Sequence, residues 1–363
     1  MGSFGSPFLF EDIMQVLHYN IFTVPEHLKY DDRFLIDYRS KDFSQDLLEK
    51  YSTYGMDSYN FVYDRTGIIP HYMNIKPNLA PMPDTTGFNK SFEQVVKERA
   101  EQLLSLNKPI SVVWSGGIDS TLALFALIKY ANDPSQITVY GTYTSILESG
   151  NLLEKSILPT GVKSRIKVSS KKEFTDSEQI YVTGFMGNQL FGPTDDFSGK
   201  VSLFHHQFNN SDPLAPYYTC IDPERLEFLK PTIDNSPRKI ETVRDLRWFF
   251  IFNFDWYTAK FESLINSAYK DNVYHFFDTE DFQRYAITTK EPFTKEVGNA
   301  LTHRWVMREL IEDYSGNSHY AWNKTKGVSN LSNLNPSWQL LLEDYSLVLS
   351  KPNQYVKSNL SLV

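Results

Sequence analysis

The sequence predicts an α/β protein built on a parallel sheet, with a helical C-terminal part and a small N-terminal accessory domain. Three observations predict it. Between Ser91 and Gly184 short apolar runs alternate with helix-patterned segments, the order of a parallel sheet with crossover helices. Two of those runs end in glycine-containing turns, one at Ser115–Ser120 and one at Gly184. Beyond about Asp222 the pattern turns mostly helical. The expected division is residues 1–90 as the accessory domain and 91–363 as the main domain. Within the latter, 91–205 is the α/β part and 206–363 the mainly helical part.

Each element has a local reason. Asp64-Arg65-Thr66-Gly67, between Phe61-Val62-Tyr63 and Ile68-Ile69, reads as a hairpin turn, and Pro77, Pro81 and Pro83 mark a linker. Phe92, Val95, Val96 and Leu103 recur at helical spacing, and Ser91 with Gln94 three residues on forms a capping box at the start. Pro109–Trp114 reads as a buried strand, Ser115–Ser120 as a turn, and Thr121–Tyr130 as an apolar helix. Ile137–Thr142, Arg165–Val168 and Gln179–Gly184 read as further strands. Val243–Ser267 reads as one long helix in which Trp248, Phe249, Phe252, Trp256 and Phe261 lie near one stripe, the pattern of packed core.

Composition narrows the function classes. The chain has 363 residues, 36 Lys+Arg against 44 Asp+Glu, and a net charge of −8, so no nucleic-acid-binding surface is signalled. Hydrophobic residues at 41% and charged residues at 22% are globular values that exclude a mostly disordered chain. The lone cysteine, Cys220, excludes an in-chain disulfide, a zinc ribbon and a CxxC redox pair, and fits a reducing, cytoplasmic setting. No apolar run is long enough for a membrane span. The aromatic content of 15% reads either as a large aromatic core or as a coding bias toward AT-rich codons.

The chemistry concentrates at Ser115-Gly116-Gly117-Ile118-Asp119-Ser120. A strand, a glycine turn and a helix N-terminus together suit an anion. Glycines let the backbone approach it, and N–H groups at the helix start point at it. Ser115 and Ser120 can donate hydroxyl hydrogen bonds to phosphate oxygens. Asp119 carries the wrong charge for direct phosphate binding, so its presence points to Mg²⁺ bridging the carboxylate and a pyrophosphate group. No Lys follows the glycines, so this is not the GxxxxGK[ST] loop, and it is not GxGxxG either.

The loop resembles the SGGxDS motif of the ATP-pyrophosphatase (PP-loop) enzymes, and the order of later motifs resembles the synthetase domain of the asparagine synthetase family. Thr183–Gly192 aligns without gaps to that family's TGEGxDELFG motif. His275-Phe276-Phe277-Asp278 stands where PFLD would, Arg304-Trp305-Val306-Met307-Arg308 resembles KxxLR, and Asn323–Gly327 looks like the last basic segment. The resemblance covers about 90–330. It implies a PP-loop sheet, ATP as cosubstrate with Mg²⁺, and adenylation of a carboxylate with release of pyrophosphate. It places Ser115, Gly116, Gly117, Asp119, Ser120 and Gly184 in the ATP-binding set, and backbone groups of Val139 and Gly141 on adenine. It also makes Asp119 and Asn188 the metal ligands. Lys324 and Lys326 flank Thr325, the position of the family's lysine, and with Arg304 and Arg308 they are the catalytic candidates.

Departures from the pattern shape the rest. Phe185 occupies the position of the motif's glutamate, Asn188 that of its aspartate, and Gln189 that of the next glutamate. Phe185 can be neither acid nor base. The acid–base candidates nearest in sequence are Asp195, Asp196, His205 and His206, whose other reading is solvated loop. The family's glutaminase domain starts with a catalytic cysteine, and here no Cys lies near the start. Nitrogen then comes from ammonia, an amine substrate or a separate amine-supplying protein, and the carboxylate is a small molecule or a peptide. The expected function is an AMP- and pyrophosphate-forming carbon–nitrogen ligase. The alternatives are a catalytically degenerate nucleotide-binding protein of the same fold and an adenylating enzyme acting on a nucleobase-type substrate.

Overall fold

A computed structural model of the chain describes residues 64–69, 82–167, 178–192, 213–220, 223–256, 272–290, 293–297 and 300–324. The chain divides into two compact units. One comprises Asn89–Phe185, Leu264–Phe282 and Glu291–Val363, and the other Met1–Phe88, Met186–Ser263 and Gln283–Lys290.

The first unit is an α/β layer structure around a five-stranded, all-parallel sheet. Its strands are β1 (Ile110–Val113), β2 (Ile137–Thr142), β3 (Lys163–Lys167), β4 (Ile180–Thr183) and β5 (Val273–His275), in spatial order β3-β2-β1-β4-β5. The order reverses between β1 and β4. In open parallel sheets ligands bind at the carboxyl ends of the strands where the order reverses. Both glycine turns follow these two strands.

Helix α1 (Phe92–Leu104) opens the unit. Its box forms as the sequence reads: Gln94 N donates to Ser91 Oγ at 3.2 Å and Ser91 N donates to Gln94 Oε1 at 2.7 Å. α2 (Ile118–Tyr130) follows β1, and Leu122 to Leu127 are buried without interruption. A helix apolar on every face belongs inside a layer. Val112, Val139 and Val182, from β1, β2 and β4, are fully buried beside it. α3 (Tyr143–Ser149) leaves β2 through a box of Thr142 and Ser145.

The stretch expected to be mainly helical also contains strands. β5 completes the sheet, and β6 (Thr294–Val297) pairs antiparallel with β7 (Ala300–His303). β5 has three residues, too short to show an alternation. The β6–β7 pair did carry a signal, because Gly298-Asn299 joins the two strands in sequence and is a hairpin dipeptide. α9 (Trp305–Ser315) and α10 (Ser318–Asn323) close the described part of the unit.

The second unit holds α4 (Gly187–Phe191), α5 (Leu214–Cys220), α6 (Pro223–Asp234) and α7 (Val243–Phe250). α8 (Glu280–Thr288) is divided between the two units. The predicted long helix over Val243–Ser267 is helical throughout its described part, which ends at Trp256, but it is not one regular α-helix. The α-helix ends at Phe250 and continues as a π-helical turn, Ile251–Asp255. Phe249, Phe250, Ile251, Phe252 and Phe254 are all buried, so the run has no solvent face that would enforce one stripe. Trp248 stacks on Phe252 at 4.9 Å and Phe250 on Phe254 at 5.4 Å. Phe261 lies outside the described residues.

The predicted hairpin at Asp64–Ile69 is also corrected. The turn forms, with Gly67 N donating to Asp64 O at 2.9 Å and Gly67 at φ 72°. Ile68 and Ile69 do not enter a strand, because their N–H groups donate to Asp64 Oδ2 at 3.1 and 2.8 Å. Asp64 is buried and its Oδ1 also accepts from Thr66 N and Oγ1, Thr232 Oγ1 and Asn253 Nδ2. Beside it the Arg65 guanidinium lies 4.7 Å from the ring centres of both Phe252 and Trp256 and donates to Phe252 O at 3.0 Å. Phe61–Tyr63 lie outside the described residues.

Candidate functional site

The turn after β1 is shorter than its sequence motif, because α2 already begins at Ile118. Asp119 and Ser120 therefore sit in the helix's first turn, with Gly117 as the cap residue and no side-chain cap bond. Gly116 has φ 80°, and a Cβ there would stand 2.3 Å from Ser145 O at the start of α3. Only glycine satisfies both conditions. Gly184, at the end of β4, is required for a different reason. Its Cβ would lie 2.4 Å from Ser120 N and 2.8 Å from Asp119 C, so β4 and the first turn of α2 meet backbone to backbone.

Hydroxyls hold the loop in shape. Ser115 and Ser120 Oγ lie 2.9 Å apart, Ser115 N donates to Ser120 Oγ at 3.1 Å, and Gly117 N donates to Ser115 Oγ at 3.2 Å. From α10 the buried Tyr320 hydroxyl donates to Gly116 O at 2.7 Å and lies 2.8 Å from Thr121 Oγ1, which accepts from Trp114 Nε1 at 3.0 Å. Burial pushes the Tyr320 phenol well above its usual range, so it stays a neutral hydrogen-bonding group.

Two largely buried ion pairs flank the loop. Arg304 Nη1 donates to Asp119 Oδ1. Lys324 Nζ donates to Glu148 Oε1 at 2.7 Å, with 6% and 15% of the two side chains exposed. Glu148, on α3, borders the loop itself: a Cβ on Gly117 would stand 3.6 Å from its Oε1. Burial raises the Asp119 carboxyl above its ordinary value, against the downward pull of Arg304, Lys324 and Arg308, whose fields all reach it. Arg304 starts α9 with a left-handed backbone, φ 56° and ψ 37°. That conformation is costly for a side chain other than glycine and clusters at functional sites. Arg308 does not aim at the loop. It donates to His303 O at 3.1 Å, to Ala321 O at 2.7 Å and to Lys324 O at 3.4 Å, which fixes the end of α10 that carries Lys324.

The other sequence candidates fall in different places. Gly141 packs at the sheet's carboxyl edge against Trp114 and Ile166, whereas Val139 lies buried mid-strand in register with Val112 and Ser164. Phe185 follows Gly184 and is 42% exposed, its ring 5.6 Å from that of His275. His275 Nδ1 and Thr183 Oγ1 lie 2.7 Å apart, and Phe185 N donates to the same hydroxyl at 3.2 Å. Phe276 and Phe277, the centre of the PFLD-like segment, are fully buried core rings that touch Phe282. Asn188 belongs to the second unit. Met186, where the TGEGxDELFG pattern has its second glycine, has φ 79°. Lys326, Asp195, Asp196, His205 and His206 lie outside the described residues.

Sequence reasoning missed Ser145, Glu148, Thr121 and Tyr320. Thr142 and Ser145 carried a helix-start pattern, but nothing in the sequence ties Glu148 or Tyr320 to a loop 30 or 200 residues away. Among the described residues no group of three or more His, Cys, Asp or Glu clusters to hold a metal, and no helix is long and apolar enough to cross a membrane. The loop nonetheless has the donor set for a phosphate chain: the N–H groups of the first turn of a 13-residue helix, two hydroxyls, and cations from Arg304 and Lys324. The Asp119 carboxylate is a hard oxygen donor of the type Mg²⁺ takes. No family model matches the chain, and no curated protein matches its sequence.

Proposed function

We propose that the chain is an ATP-dependent ligase of the PP-loop type, which adenylates a carboxylate with release of pyrophosphate and passes the acyl group to ammonia or an amine. The observation that carries this reading is the place of Ser115–Ser120: a glycine turn feeding a helix N-terminus at the reversal point of a parallel sheet, backed by Gly184 of the adjacent strand. The left-handed Met186 adds support, because the resembled motif puts a glycine where this backbone favours one.

In this reading the loop N–H groups and the Ser115 and Ser120 hydroxyls bind the phosphates. Asp119 would hold Mg²⁺, and the bound ion would supply positive charge for the pyrophosphate leaving group. Arg304 and Lys324, each paired with a carboxylate beside the loop, are the cations that would meet charge building on the transferring phosphoryl group once they turn from those partners. Arg308 and Tyr320 are positioning residues, one holding Lys324 and the other the loop backbone.

The test is carboxylate-dependent ATP–pyrophosphate exchange with Mg²⁺, using a panel of small-molecule and peptide carboxylates. Exchange that Asp119→Ala abolishes is the expected result. A second reading, a nucleotide-binding protein without turnover, is favoured by Phe185 at the position of the motif's acid. It predicts ATP binding in calorimetry with no exchange on any carboxylate.

A further inference from the structure

Glu148 has no role in the chemistry above, yet its position is unusual. It is a carboxylate, 15% exposed, at the edge of a loop that otherwise offers N–H groups and hydroxyls. Its partner Lys324 is the most deeply buried cation at the loop, 6% exposed. A buried ion pair adds little net stability, because desolvation of both charges offsets their attraction. Two such pairs beside one anion cradle therefore call for an explanation other than folding. The two pairs also balance each other: Asp119 and Glu148 carry as much negative charge as Arg304 and Lys324 carry positive. An incoming phosphate must take Lys324 from Glu148, and must then remain beside that carboxylate.

We propose that Glu148 is a specificity-determining residue, an internal stand-in for phosphate that makes the loop discriminate between polyphosphate carrying a divalent cation and the bare polyanion. It rests on the nucleotide-binding reading above and adds the metal-charge state of the ligand to it. When bare pyrophosphate approaches, the Glu148 charge repels it and keeps hold of Lys324. When Mg²⁺ accompanies the phosphate, the carboxylate faces a neutralised group and Lys324 can change partners. Like charges a few ångströms apart in a partly buried site are repulsive by an amount that corresponds to at least about ten-fold in affinity.

The experiment is calorimetric titration of the full chain with inorganic pyrophosphate, once with a chelator and once with excess Mg²⁺. Glu148→Gln should bind metal-free pyrophosphate at least about ten-fold more tightly than the unmodified chain, and the gain should shrink with Mg²⁺. Glu148→Ser, which is smaller and also neutral, repeats the reading should the amide disturb the fold. Glu148→Asp keeps the charge and should keep the discrimination. In a Lys324→Met background, where no cation offsets the Glu148 charge, the gain from Glu148→Gln should persist or grow, whereas a merely structural role through the Lys324 pair would make it disappear. Equal or weaker metal-free binding by both neutral variants overturns the inference while leaving the nucleotide reading in place. No binding of pyrophosphate by any variant, with or without Mg²⁺, overturns both.

Discussion

Gly184→Ala is the sharpest perturbation of the loop that leaves its polar groups untouched. The added Cβ would meet Ser120 N at 2.4 Å, Ser120 Cα at 2.7 Å and Asp119 C at 2.8 Å. Ordinary contact begins at 3.4 Å, so β4 and the first turn of α2 must separate by about 1 Å. All three atoms are backbone, and no side chain can turn away to absorb the change. Overpacking of this kind destabilises by about 1–3 kcal/mol. A displacement near 1 Å in a positioned site costs about 100-fold in function. Gly117→Ala is the control on the same loop. Gly117 has φ −82°, and its nearest neighbours are the Ser115 hydroxyl at 3.2 Å and the Glu148 carboxylate at 3.6 Å, both side chains. Urea denaturation and ATP titration of both variants give the reading. Gly184→Ala should lose about 1–3 kcal/mol and nearly all measurable ATP affinity, while Gly117→Ala should lose under about 1 kcal/mol. A Gly184→Ala protein as stable as the unmodified chain, with ATP affinity intact, would refute the backbone-to-backbone fit of β4 and α2.

Three further outcomes are expected. Asp64→Asn replaces an acceptor of six donated hydrogen bonds with a group that also donates, and should destabilise by about 3–5 kcal/mol in urea denaturation; a loss under about 1 kcal/mol contradicts the buried network. Met186→Gly and Met186→Ala both lose a buried side chain, but only glycine relieves φ 79°, so the glycine variant should be the more stable of the two by about 1 kcal/mol, against the usual order of these residues. For Asp119 the sign follows from its raised carboxyl: the folded chain holds that proton more tightly than the unfolded chain, so stability falls as pH rises from about 4 through the raised value, and Asp119→Asn should flatten that fall. A stability–pH curve for Asp119→Asn parallel to that of the unmodified chain contradicts the shift.

The sheet was legible where local signals and burial agree. Ile110–Val113 and Ile180–Thr183 are apolar because a central parallel strand is covered on both faces, so period and burial carry the same message. Ser91 and Gln94 announce their helix because a cap is a short-range bond. The candidate site was legible only in its local half. Glycines and serines of one loop are adjacent in sequence, and their spacing reflects the turn they make. The charged half is assembled by topology: Glu148 arrives after β2, and Arg304 and Lys324 arrive after β5. No propensity links such residues, and their partners emerge only with the strand order. Asp64 shows the same limit at short range. Its turn was readable from Asp64–Gly67, but the turn's carboxylate captures the N–H groups of Ile68 and Ile69 that a hairpin would have used.

The most direct measurement is the identity of the products made from ATP. Phosphorus NMR of the full chain with Mg²⁺, ATP and the carboxylate panel distinguishes cleavage between the α- and β-phosphates from cleavage between β and γ. The account predicts AMP and pyrophosphate in equal amounts, formed only with a carboxylate present and lost in Asp119→Ala. ADP with orthophosphate, or ATP left intact with every carboxylate, would contradict it.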